Sequence, residues 1–283
     1  MAAAWAHVPG AEAGGLSWSL RPELVLSLLV LAALYALGWR RLSRRADPQP
    51  VPRRAALVLV SLGAVALALI SPLDGLADVR FAAHMVQHVL LISVAAPALL
   101  LADPFPIVVW ALPRALRRHA SHVIRRASPA GRLWRTTTAM APAWIVSAGI
   151  LWAWHVPAAY DGALRHRWLH DLEHVSFFLA ALVFWWPVIH PAPRFRRGAS
   201  YPARVVYLVL GAFQTAALGL LLTLAPAVLY RSYAGAGLED QARGGVVMWG
   251  LAGLIDMLAV LVLVYRSFDS AGGFAPFRRS SRA

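Results

Sequence analysis

LVLVSLGAVALALI, residues 57–70, carries no charge and a single hydroxyl. Water would hydrate such a run poorly, whereas hydrocarbon accepts it once its backbone is helical. Extended to 55–71 it is one of seven segments that approach the roughly 20 apolar residues a spanning helix needs. The others are 22–39, 79–101, 137–156, 170–189, 204–229 and 243–265. The whole chain of 283 residues is 59% hydrophobic and 14% charged, with mean hydropathy +0.60. No connection is long enough for a soluble domain. The expectation is therefore an all-α, polytopic membrane bundle of seven transmembrane helices. An exterior tail (1–21) precedes the 22–265 membrane domain, and a basic cytoplasmic tail (266–283) follows it.

Charge sets the expected orientation. All 27 basic residues are arginine. Six lie in 40–54, seven in 113–135, four in 194–204 and four from Arg266 onwards, all on one side of the expected bundle. The other side holds Arg21, Arg80, Arg165, Arg167, Arg231 and Arg243. Arginine-rich connections remain cytoplasmic, which places the amino terminus outside and the carboxyl terminus inside. The net charge of +14 then faces anionic lipid headgroups rather than nucleic acid. With no cysteine, disulfide scaffolds, thiol catalysis and thiolate metal sites are excluded. Without lysine there is no retinal Schiff base. The opening MAAAWAHVPGAEAGG lacks the basic region of a signal peptide and reads as an exterior tail.

Local signals punctuate the spans. Pro22 opens the first, and Pro48, Pro50 and Pro52 stiffen the turn before the second. Asp74 or Asp78 is placed to cap the third span, and Pro97 to bend it. Within 112–127, Leu112, Leu116, Val123 and Ile124 share a helical face among arginines, as in a helix lying on a leaflet. Trp152, Trp154, Trp168, Trp185 and Trp186 suit an interfacial belt.

Against this apolar background the metal-ligating side chains stand out. His84 and His88 are four residues apart and share a face of the third span, with Met85 beside it. His170 and His174 repeat that spacing at the start of the fifth span, and His155 ends the fourth. Alternating span directions bring all three groups to the outer side. Imidazole suits copper, zinc and iron, and thioether with imidazole favours copper. Asp74, Asp161 and Glu173 are candidates to orient the imidazoles. Gln214, Asp240, Met248 and Asp256 are further polar or thioether groups in or beside the spans, and Gly244-Gly245 permits close helix approach. Interhelical hydrogen bonding explains each residue taken singly.

Two other readings use the same residues. His170-Asp-Leu-Glu173-His174 fits H-x-x-E-H, a zinc-hydrolase pattern that also needs a third ligand, for which Glu239, Asp240 and Asp256 are available. His88 with His174 suits the axial pair of a haem b held between helices.

Read in order, these motifs resemble the CtaG-like cytochrome c oxidase assembly factors. The resemblance rests on Ser71-Pro72-Leu73-Asp74, Phe81-x-x-His84-Met85-x-Gln87-His88 followed by Pro97, and Trp152-x-Trp154-His155-x-Pro157-x-x-Tyr160-Asp161. It continues through Leu169-His170-x-x-Glu173-His174, Trp186-Pro187, Gln214, Leu229-Tyr230-x-x-Tyr233 and Asp240-Gln241-x-x-Gly244-Gly245-x-x-Met248-Trp249. It implies a multi-pass protein of the bacterial plasma membrane, not an enzyme, that matures a haem–copper oxidase and contacts its subunits. Copper supply is the role often inferred for that family.

Overall fold

The computed structural model describes residues 18–44, 51–123 and 125–270. The expected exterior tail up to residue 17, Pro48 and Pro50 of the first turn, Ile124, and the last stretch from 271 lie outside the described residues. All regular structure among the described residues is helical. In chain order the helices are α1 (Pro22–Ser43), α2 (Val51–Leu69), α3 (Pro72–Ala77), α4 (Phe81–Val89), α5 (Ala96–Leu101), α6 (Pro104–Ala111) and α7 (Arg114–Val123). They continue as α8 (Pro129–Thr137), α9 (Met140–Trp154), α10 (Pro157–Arg165), α11 (Arg167–Ile189), α12 (Tyr201–Thr223), α13 (Gly237–Val246) and α14 (Ala252–Ser270). A π-turn, Leu90–Ala95, links α4 to α5, and another, Val247–Leu251, links α13 to α14. A 3₁₀ turn, Arg231–Ala236, precedes α13.

Five helical stretches are long and apolar enough to cross a bilayer: α1, α4 through α5, α11, α12, and the 3₁₀ turn through α14. The chain is thus a polytopic helical bundle. Helices α2 (19 residues) and α9 (15 residues) occupy the positions of the second and fourth expected spans. Burial is inverted relative to a water-soluble protein. Leu26, Leu29, Phe213, Leu254 and Leu261 are exposed, while His84, Gln87 and Glu173 are fully buried. Lipid solvates the leucines, and the polar groups must find partners inside.

The central core joins Phe81 and Met85 of α4 to Leu151, Tyr160, Phe177, Leu218, Leu222, Tyr230, Tyr233 and Met248. Leucine is as apolar as a lipid tail, so close packing rather than hydrophobic exclusion must hold such helices together. The Gly244-Gly245 pair provides that closeness. A β-carbon on Gly244 would sit 2.2 Å from the Phe81 ring, and one on Gly245 would sit 2.5 Å from the Gly219 carbonyl oxygen.

Pro97 acts differently from the bend expected of it. The Ala96 N–H reaches back to the Leu91 carbonyl, five residues away, so the helix widens into a π-turn before the proline. In that register the Ile92 carbonyl would accept from residue 97, which has no N–H. Trp185 fills the gap, donating its indole N–H to Ile92 at 3.1 Å. Trp185 is therefore a buried hydrogen-bond donor rather than part of an interfacial belt. Three other local expectations change. The Phe81 N–H is capped by Asp240, as described below, rather than by Asp74 or Asp78. The 104–137 region is three helices, with Leu112 in the extended turn between α6 and α7, because Pro113 and Pro129 each restart the chain. Helix α14 runs on to Ser270, past the expected end of the span at 265.

Packing at Gly244 gives a direct check. Gly244→Ala overpacks the α4–α13 contact and should cost about 1–3 kcal/mol, lowering the unfolding temperature in detergent. Gly253→Ala meets nothing within 4 Å and should leave that temperature unchanged or raise it.

Candidate metal centre

Helix α4 presents His84 and His88 on one face, and α11 presents His170 and His174 opposite them. The imidazole centroids lie 4.4 Å apart for His84–His88, 5.0 Å for His84–His170, 5.3 Å for His88–His174 and 4.3 Å for His170–His174. Between them lies Glu173, with Oε1 3.7 Å from His88 Nε2 and Oε2 4.0 Å from His84 Nε2. Ligand atoms of His84, His88 and His174 lie within 4.8 Å of one another, and so do those of His84, His170 and Glu173. His155 follows the last turn of α9 with its ring 6.4 Å from His88. The five histidines that the sequence scatters over three helices meet in one place.

The hydrogen bonds around the cluster decide which nitrogens face inwards. His155 Nδ1 donates to the Leu151 carbonyl at 2.7 Å, leaving the lone pair on Nε2. The Tyr233 hydroxyl donates to the Ala77 carbonyl at 2.5 Å, so its oxygen accepts from His84 Nδ1 at 2.8 Å. The Tyr160 hydroxyl lies 3.0 Å from the same nitrogen. This network assigns the proton of His84 to Nδ1 and its lone pair to Nε2. Nε2 of His84, His155 and His174, both nitrogens of His88, and both oxygens of Glu173 are buried without a hydrogen-bond partner. Orphaned polar atoms at this depth are costly, and here they converge. Burial pushes the Tyr160 and Tyr230 phenols above their ordinary range, so both remain neutral.

The other residues singled out in the sequence are placed around this centre rather than in it. Met85 and Met248 belong to the apolar core. They line a cavity of about 80 Å³ together with His88, His155, Gln214 and Asp256. Gln214 accepts from Trp152 Nε1 at 3.0 Å. Asp74 and Asp161 do not touch the imidazoles. Asp74 accepts from Gln87 Nε2 at 3.1 Å, and Asp161 accepts the backbone N–H groups of Ser232 (3.0 Å) and Arg231 (3.3 Å). Asp161 thus holds the turn that aims Tyr233 at His84. Asp240 Oδ2 accepts the Phe81 N–H at 2.6 Å, capping α4 from the far end of the chain. Arg21 grips Asp171 through two 2.8 Å contacts and ties the start of α1 to α11 beside His170.

Sequence reasoning missed Tyr160 and Tyr233 as site residues. Both stood in the motifs that carry the family resemblance, and nothing in their spacing pairs them with His84. Gln241 was also missed. It accepts from the Leu229 N–H at 2.7 Å and so ties down the segment before Tyr230.

The H-x-x-E-H pattern does not act as a self-contained unit. His170 and Glu173 group with His84, while Glu239 pairs with Arg243 and Asp240 is committed to Phe81.

The family model for the cytochrome c oxidase caa3 assembly factor (Caa3_CtaG) matches residues 33–270, and the chain belongs to that family. No curated protein and no solved structure matches it.

Proposed function

We propose that this protein is a non-enzymatic assembly factor of the bacterial plasma membrane that binds copper transiently and passes it to a maturing cytochrome c oxidase. The observation that carries the reading is the set of orphaned, buried donor atoms on His84, His88, His174 and Glu173, with His170 beside them. Nitrogen donors within 4.8 Å of one another are near the roughly 3.4 Å spacing that a shared ion imposes at metal–nitrogen distances of about 2.0–2.1 Å. A cation there compensates a carboxylate buried at zero exposure. Neutral imidazoles without thiolate make a site that holds an ion and can release it. His155, with Met85 and Met248 along the adjoining cavity, supplies further donors on a route out of the centre.

Crowding favours a bare ion over haem b. A macrocycle must lie flat between His88 and His174, yet His84 is 4.4 Å from the first and His170 is 4.3 Å from the second. A zinc hydrolase would give Glu173 the work of a general base. Its position between imidazoles with no hydroxyl or amide donor suits compensation of a bound cation equally well.

The arrangement in the membrane completes the proposal. Helices α2 and α9 bring the spans to seven, the amino terminus lies outside, and the histidine centre lies beneath the outer boundary. The arginine-rich side faces anionic cytoplasmic headgroups. Oxidase subunits are the protein partners in this reading, which membership of an oxidase assembly-factor family supports.

Metal content tests the site. Purified protein exposed to copper should retain it after desalting, and the His84→Ala/His88→Ala/His170→Ala/His174→Ala variant should lose at least nine-tenths of that copper while still unfolding cooperatively. Equal retention by a folded variant would sink the ligand assignment. In cells, deletion of the gene should remove oxidase activity, and added copper should restore a measurable part of it. Persistent loss at every copper level would indicate a subunit scaffold instead. A carboxyl-terminal fluorescent-protein fusion should be bright and a phosphatase fusion at the same end inactive; the reverse pattern contradicts the orientation.

A further inference from the structure

At the opposite end of α1 from the histidines the chain builds a second polar site. Arg41, Arg44, Trp110, Leu112, Pro113, Arg114 and Arg117 line a pocket of about 350 Å³. Arg21 and Arg41 bracket α1, twenty residues and roughly 30 Å apart at 1.5 Å per residue, which is the thickness of the hydrocarbon layer. The pocket therefore opens at headgroup level. Its floor is fixed by interactions within the protein. Arg41 donates to the Ala111 carbonyl at 2.5 Å and more weakly to Trp110 and Leu112, capping the end of α6. Arg117 lies over the Trp110 ring at 4.3 Å. Arg44 and Arg114 are exposed at the rim and form no ion pair among the described residues. No carboxylate among the described residues lines the pocket. Helix α7 begins there with no acidic residue in its first turn.

We infer that this pocket binds the phosphate of an anionic phospholipid headgroup. Four arginines line one concavity, and a guanidinium offers several N–H donors in the planar geometry that phosphate accepts. The first N–H groups of α7 add unpaired donors and the positive end of the helix dipole. Trp110 supplies the amphipathic ring that settles at a membrane boundary. Two arginines already engaged with the protein form a rigid base, and two at the rim are free to close on a ligand. An acyl chain attached to the phosphate would lie along the exposed apolar surface of the bundle. Inorganic phosphate shares the charge but lacks that anchorage. The inference is independent of the metal centre, because it involves neither the same residues nor the same end of the bundle.

The test uses the full chain in a neutral detergent, with phosphatidylglycerol, phosphatidylcholine and inorganic phosphate as separate additions. Native mass spectrometry counts retained lipid, and thermal unfolding measures protection. Phosphatidylglycerol should be retained and should raise the unfolding temperature. Arg44→Gln/Arg114→Gln should weaken that binding about thirtyfold, at roughly 1 kcal/mol per arginine near an anionic lipid surface. The charge-keeping Arg44→Lys/Arg114→Lys should recover much of it, and Arg165→Gln/Arg231→Gln on the other side should bind as the unaltered protein does. Equal protection by phosphatidylcholine would overturn the inference. So would equal protection by inorganic phosphate, or binding to Arg44→Gln/Arg114→Gln at full strength.

Discussion

A carboxylate with no hydrogen-bond donor, sealed among imidazoles inside a membrane bundle, is the constraint on which this architecture turns. Glu173 is fully buried, and ring nitrogens of His88 and His84 lie 3.7 and 4.0 Å from its oxygens. Such a group is expensive unless a proton or a cation shares its charge. The surrounding structure invests heavily in keeping it there. Helix α4 is capped by Asp240 from 159 residues away, α11 is held at its start by Arg21, and the turn carrying Tyr233 is held by Asp161. These contacts lie at the termini of the elements that bear the histidines, where unpaired backbone groups and helix ends offer grip.

The two π-turns belong to the same plan. One begins two residues after His88, and the other includes Met248, so both border the cavity beside the centre. A π-turn inserts a residue into the helical register and changes which side chains face inwards beyond it. Pro97 lacks the N–H that the Ile92 carbonyl would accept in the first, and Trp185 supplies a donor in its place. The cost of irregular backbone in hydrocarbon is thereby met from inside the bundle.

Function in this fold follows from a division along the membrane normal. The histidine centre lies at one end, and the arginine pocket with Trp110 lies at the other. The helices between the two ends carry mostly leucine, valine and alanine on their outer surfaces.

The amino-acid sequence by itself determined the class of fold and the identity of the polar residues. Apolar runs of membrane length and the four-residue spacing of His84 with His88 and of His170 with His174 are local properties, fixed by helix geometry. The family likeness was legible for a related reason, since its motifs lie at helix ends where local chemistry is specific. Tertiary structure alone decided which of those residues meet. Met85 adjoins His84 in the chain, yet one residue is a third of a turn, and it faces the apolar core instead. Asp240 and Phe81, or Tyr233 and His84, are partners only because distant helix ends pack together, and no periodicity records that. The same holds for the arginine pocket. Its charges are plain in the sequence, but their convergence depends on α6 folding back against the end of α1.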